Sequence, residues 1–306
     1  MRITMCRRIR RLNGACAAFS IVAAFLSGIP LLWAAEFPAV PPAEMVRRCS
    51  QHELDAQKNA PRYMFMIRRQ TAHVTETKLV VETNEAIAGR VLAYNDKELT
   101  GGSLQSEDAR VERFVRDPEE LRKKQREERD NRERFNRILR AMPDAFLWEY
   151  DGFESGEPGL GWPGAELVRL KFRPNPDYDP PTRVEQLLAG MAGTILVDPR
   201  QERLARIDST LQREVGFGWG ILGHLDKGGR ILIEQGDVGD GHWGLSHIIM
   251  RFTGKVLVFK SIDVNTQEIS WDFRRVANDL SFAQGLDLLK QQSTAIPKNR
   301  SWSHGQ

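Results

Sequence analysis

The chain has 306 residues, 41% of them hydrophobic, with 44 basic and 41 acidic side chains and a net charge of +3. That composition excludes a disordered or low-complexity chain, and three cysteines are too few for a disulfide-stapled scaffold. The positive excess belongs to the first 35 residues, which hold five arginines and no acid. The other 271 residues carry 39 basic and 41 acidic groups, a net of −2, so charge gives no support for nucleic-acid binding.

Arg2, Arg7, Arg8, Arg10 and Arg11 precede an apolar stretch from Ala15 through Phe19, Ile21, Val22, Phe25 and Leu26 to Trp33, which ends in Ala34 and Ala35. This layout predicts a secretory signal peptide over 1–35 and a periplasmic or secreted destination in a bacterial envelope. Leu32 and Trp33 depart from the small residues preferred before a cleavage site, and the run approaches the span of about 20 residues needed to cross a bilayer. An uncleaved anchor is therefore the alternative. Cys49 alone remains beyond the leader and cannot form an intramolecular disulfide. It reads as a small half-buried packing residue.

Pro41 and Pro42 open a helix carrying Met45, Val46, Cys49 and Leu54, which Pro61 follows. Strands are expected over 63–74, 77–84 and 90–94, where aromatic and β-branched residues concentrate. Asp117-Pro118-Glu119-Glu120 is a strong helix start, because Asp caps, Pro fits the first position and the acids suit the dipole. The helix should run over 118–142 and stop before Pro143. From Arg122 to Arg134 it has no apolar residue, and Glu128–Arg132, Asp130–Arg134 and Glu133–Arg137 are spaced for ion pairs. It reads as a solvated helix arching off the body, or as an arm that binds an envelope protein or a lipid headgroup.

Strands resume at 145–150 and 166–172, then a proline-rich bend runs from Arg173 to Pro181, with a short helix capped by Thr182. Further strands are expected over 194–197, 204–211, 217–225, 230–235, 244–252, 256–262 and 268–273. Their connections are short, with turns at 226–229, 237–241, Thr253-Gly254 and 263–266, so hairpins and an antiparallel sheet follow. The residues over 292–306 are polar and read as a disordered tail.

No catalytic motif emerges. Gly218-Trp-Gly220-Ile-Leu-Gly223 matches the dinucleotide fingerprint only in spacing, since that motif needs a following helix and here a turn into another strand follows. Gly216, Gly218 and Gly220 fit a curved strand better. His224, His242 and His247 lack a partner at zinc spacing, so no metal, cofactor or catalytic residue is assigned. Ser246-His247 is not a nucleophile elbow.

Several steps carry a family likeness: Leu167-Val-Arg-Leu-Lys-Phe172, then Gly193-Thr-Ile-Leu-Val-Asp-Pro199, then Leu204-Ala-Arg-Ile-Asp208 leading into long hairpins. With the leader, the N-terminal helix and Phe217-Gly-Trp-Gly220, the chain resembles the LolA/LolB-type lipoprotein-carrier superfamily. More narrowly, it resembles uncharacterised exported relatives of outer-membrane lipoprotein-sorting proteins. The helix over 118–142 is longer than the usual carrier insertions. The resemblance implies an unclosed, strongly curved antiparallel half-barrel with helices on its concave side.

The expected fold is thus one α+β domain over 36–291, with about ten strands. The expected function is a non-catalytic carrier holding a lipid or lipoprotein acyl chain, with peripheral membrane contact. Phe217, Trp219, Ile221, Ile231, Ile233, Leu257 and Phe259 are the expected lining residues. A periplasmic sensor or scaffold acting through the charged helix, and a secreted hydrolase, are the alternatives.

Overall fold

The computed structural model describes residues 37–217, 223–239, 241–256 and 260–295. The leader expected over 1–35 lies outside them, as do Trp219, Ile221, Leu257 and Phe259. The described strands are β1 (Arg62–Thr71), β2 (Thr75–Glu82), β3 (Ile87–Tyr94), β4 (Lys97–Glu98), β5 (Phe146–Ser155), β6 (Glu166–Pro174), β7 (Met191–Asp198), β8 (Arg203–Leu211), β9 (Val215–Phe217), β10 (Gly223–Leu225), β11 (Arg230–Gly239), β12 (His242–Val256) and β13 (Lys260–Val276). The helices are α1 (Pro42–Ala56), α2 (Gly101–Arg116), α3 (Pro118–Ala145), α4 (Arg183–Gln186) and α5 (Phe282–Ala295).

These form an α+β fold on one curved, open antiparallel sheet, as expected, with thirteen described strands against the ten or so anticipated. The order is β4-β3-β2-β1-β13-β12-β11-β8-β7-β6-β5, and the β9–β10 hairpin joins through β12. Each neighbour pairs antiparallel, and β1 meets β13 through the long return from the chain's end.

Several boundaries differ from expectation. Thr253-Gly254 and 263–266 are not turns. They lie inside β12 and β13, whose ladder runs unbroken from His247 opposite Ile269 to Val256 opposite Lys260. Gly254 is there for packing, because a Cβ would stand 2.1 Å from the His224 carbonyl oxygen. The strand expected over 217–225 is instead β9 and β10 folded against each other. The region over 95–116, where no element is predicted, forms β4 and α2, whose first two residues are glycines of poor helix propensity. The chain continues as α5 through Ala295, past the start expected for the tail.

In α3 the Asp117 side chain accepts the Glu119 N–H, as its sequence predicts. The helix passes through Pro143 to Ala145, because proline in the last turn forfeits only one backbone bond. At 28 residues it is about 42 Å long. It does not arch off the body. Leu121 packs near α5, Glu128 accepts the Ile87 N–H at 3.2 Å, and Leu139 and Met142 are fully enclosed. Glu128 also pairs with Lys124 at 2.8 Å. None of the three ion pairs expected along this helix forms among the described residues.

Side chains alternate between the faces of a strand, so the ladders assign every residue a side. At the β5–β8 end, α1 and the end of α3 bury Val168, Leu170, Phe172, Ile195, Val197 and Leu204. At the β1–β3 end, α2 and α5 bury Met66, Leu79, Val81 and Ala88. Following the registers through β8, β11, β12 and β13 puts these two patches on opposite faces. The helices are divided between the two sides of the sheet. We call them the α1 face and the α5 face.

Glu53 locks α1 in place. Its carboxylate accepts from Arg203 Nε at 2.8 Å and Nη2 at 3.0 Å, from the Leu204 N–H at 3.1 Å and from Gln235 Nε2 at 2.8 Å. One acid therefore joins a helix to two strands, and Arg203 also lies over the Trp243 ring at 5.2 Å. Cys49, one turn earlier, is fully rather than half buried, and burial pushes its thiol well above its ordinary range, so it is inert. Removing one partner of such an enclosed pair is costly, so Glu53→Ala should destabilise the fold by about 3 kcal/mol in urea unfolding. Glu44→Ala on the same helix should leave the midpoint nearly unchanged, because Arg47 and Arg48 pair with it in solvent.

Candidate functional site

The central strands differ in kind on their two sides. On the α5 face a charged ladder crosses the sheet. Arg169 Nη1 meets Glu154 at 3.1 Å, and Arg206 reaches Glu154 at 2.9 Å and Glu234 at 2.7 Å. Glu234 then meets His247 Nδ1 at 3.1 Å, and His247 Nε2 lies 3.1 Å from Gln267. Every acid in this row has a cationic or imidazole partner. It is a set of cross-strand pairs beside a small apolar cluster on the same face, where Leu160 covers Leu167, Leu196 and Ala205.

The α1 face of the same strands is greasy. Ile207 on β8, Ile231 and Ile233 on β11, Ile248 and Met250 on β12, and Ile67 and Phe65 on β1 all point to this side. Ile207 and Ile231 touch the α1 core at one edge. Beyond them the band stays half-exposed. Met250 is 36% exposed and Val264, on the same face of β13, is 37% exposed. Phe65 stacks on Phe273 with ring centroids 4.7 Å apart, closing the other edge. On β13 the same face carries Thr266, Glu268 and Ser270, so polar positions separate the aliphatic residues of β11 and β12 from Ile67 and Phe65 on β1.

One acid sits within the band. Glu268 lies opposite Ile248 on one side and Arg69 on the other. It makes no hydrogen bond or ion pair among the described residues. Desolvation raises its pKa above the ordinary carboxylate range, and the charges of Arg69 and Lys78 oppose the shift.

Of the residues expected to line a hollow, Ile231 and Ile233 fall in this band. Phe217 ends β9, with only its backbone described. Trp219, Ile221, Leu257 and Phe259 lie outside the described residues. Reading the sequence missed Ile207, Ile248, Met250 and Phe65. Their signal was the alternation along each strand, but which strands are neighbours was needed to see one surface.

The rejected nucleotide motif leads into β10, so no helix follows Gly223 to bind a pyrophosphate. His242 packs edge-on to Tyr63, and the Ser246 hydroxyl donates to the Gly159 carbonyl, so neither joins His247 in a catalytic arrangement. A cleft of about 600 Å³ lies apart from the band, between the Pro174–Pro180 bend and the segment from Arg213 to Gly216. Among the described residues no helix is long and apolar enough to cross a membrane.

No protein-family model and no curated protein matches the chain. Among solved structures it is similar to a DUF1329 family protein from Desulfovibrio piger. The likeness is 9% identical, covers 79% of this chain and 98% of that one, and has a TM-score of 0.25.

Proposed function

We propose that the protein is a lipid- or lipoprotein-binding carrier that holds acyl chains against the α1 face of its sheet without transforming them. The observation that carries this reading is the half-exposed aliphatic band from Ile231 and Ile233 to Met250 and Val264, on a sheet whose reverse side carries a row of paired charges. The sequence resemblance to the LolA/LolB-type carriers points the same way. Each methylene withdrawn from water contributes about 0.8 kcal/mol. A chain of about fourteen methylenes therefore contributes on the order of 10 kcal/mol gross, before ordering costs. An open face suits a carrier, because a ligand that must be passed on needs an exit.

Lipid should co-purify with protein prepared from its own membranes and be seen by native mass spectrometry. Ile233→Glu and Met250→Glu should each weaken binding of a fluorescent fatty-acyl probe at least about tenfold, by charging the surface the chain lies on. Their circular dichroism should match the parent. Delipidated parent protein that ignores the probe sinks the reading.

Glu268 makes the binding pH-dependent. A hydrocarbon laid over the band withdraws further water from its carboxyl and raises its pKa again, so binding takes up protons and affinity should rise as pH falls. Glu268→Gln should flatten that dependence. The same sign governs folding. The raised pKa means the ionised acid opposes folding, so stability is lost as pH rises from the ordinary Glu value of about 4.3 through the folded value. Glu268→Gln should therefore be more stable than the parent at pH 7, and the difference should vanish in thermal melts at low pH.

A further inference from the structure

A second feature lies on the β9–β10 hairpin, on the opposite side from the apolar band. Val215 and Leu225 are cross-strand partners that pack into the α1 core. Alternation turns their neighbours the other way. His224 faces Gly216, and one more step of the same register sets Asp226 opposite Glu214. Three side chains thus share one face, and Gly216 leaves the space beside the imidazole clear.

Glu214, His224 and Asp226 each bring a donor atom within 4.8 Å of the others. His224 Nε2 is 3.3 Å from Asp226 Oδ1. The other Asp226 oxygen accepts from Thr253 Oγ1 at 2.6 Å, and the Asp226 N–H donates to the Thr253 carbonyl at 2.9 Å. The aspartate is therefore aimed before any ligand arrives. The strand behind His224 is held close by two glycines. A Cβ at Gly223 would stand 2.3 Å from the Lys255 carbonyl, and one at Gly254 would stand 2.1 Å from the His224 carbonyl.

Two carboxylates directly opposite each other on a ribbon repel. The Arg213 guanidinium beside them is spent on the Ala189 carbonyl, at 3.0 and 3.3 Å. A dication between the acids converts that repulsion into attraction. The imidazole decides which one, since magnesium and calcium favour oxygen-only sets whereas zinc takes mixed nitrogen and oxygen donors. Zinc bonds of about 2.1 Å place two donors at most about 4.2 Å apart, so a small side-chain adjustment closes the set.

We propose that Glu214, His224 and Asp226 form a binding site for a zinc-class divalent cation that ties the two strands of the β9–β10 hairpin together. Three protein donors leave the remaining positions to water or to a ligand atom. Glu214 also lines the 600 Å³ cleft, so the ion stands at its rim. This assignment is independent of the lipid reading, because it uses none of the same residues.

The test is calorimetric titration of chelator-stripped full-length protein with zinc, and separately with calcium. One zinc per chain should bind and raise the melting temperature. His224→Ala, Asp226→Asn and Glu214→Gln should each weaken binding at least about tenfold, and Thr253→Val should weaken it about tenfold while leaving all three donors in place. Lys227→Ala, in the adjoining turn, should bind as the parent does. Failure to bind zinc, equal binding by the His224→Ala and Asp226→Asn variants, or preference for calcium over zinc each overturns the proposal. Thr253→Val keeps the test decisive where loss of a donor unfolds the hairpin.

Discussion

An open sheet has two faces, and each must find either apolar cover or solvent. Here the path from β4 to β5 is too wide for the helices to shield both sides. The solution is a division. The α1 face is packed at the β5–β8 end and the α5 face at the β1–β3 end, with the middle strands covered by neither set. The carrier reading proposed above rests on how that middle is finished.

The two finishes differ in their balance of charge and hydrocarbon. On the α5 side, Arg169, Glu154, Arg206, Glu234 and His247 interlock in a row and keep the backbone polar. On the α1 side, Ile207, Ile231, Ile233, Ile248 and Met250 line β8, β11 and β12, and Thr266, Glu268 and Ser270 follow on β13. A chain under selection for stability alone has no reason to leave such a band half-exposed, whereas a surface for reversible capture of acyl chains requires it. The clamp through Glu53 serves the same arrangement. It holds α1 at one end of the face, because breaking it would strand a carboxylate and a guanidinium together.

Much of this was legible in one dimension. The strand segments, the antiparallel class and the Asp117 cap of α3 follow from alternation, short connections and capping chemistry. The helices of poorest propensity were not. Gly101 and Gly102 open α2, and Gly285 sits within α5, where an added Cβ would stand 2.7 Å from the Thr83 methyl and 3.1 Å from a Val81 methyl. Glycine reads as a break in sequence and acts as a contact in the fold. Gly254 misleads in the same way, as a turn residue that turns out to be the point where β10 meets β12. In α5 the spacing of Phe282, Leu286 and Leu289 was a usable helical signal.

The amino-acid order determined which segments extend, which coil, and that no familiar catalytic motif is present, because those properties depend on residues near one another in the chain. It also placed Ile231 and Ile233 on one side of a strand. Only the tertiary structure decided that β1 lies beside β13, which joins Ile67 and Phe65 to residues nearly two hundred positions away in one surface. Only the fold set Glu214 opposite Asp226 with His224 of β10 on the same face. Strand alternation is local, but strand adjacency is a choice among many pairings, settled by the collective burial of side chains that the linear order leaves far apart.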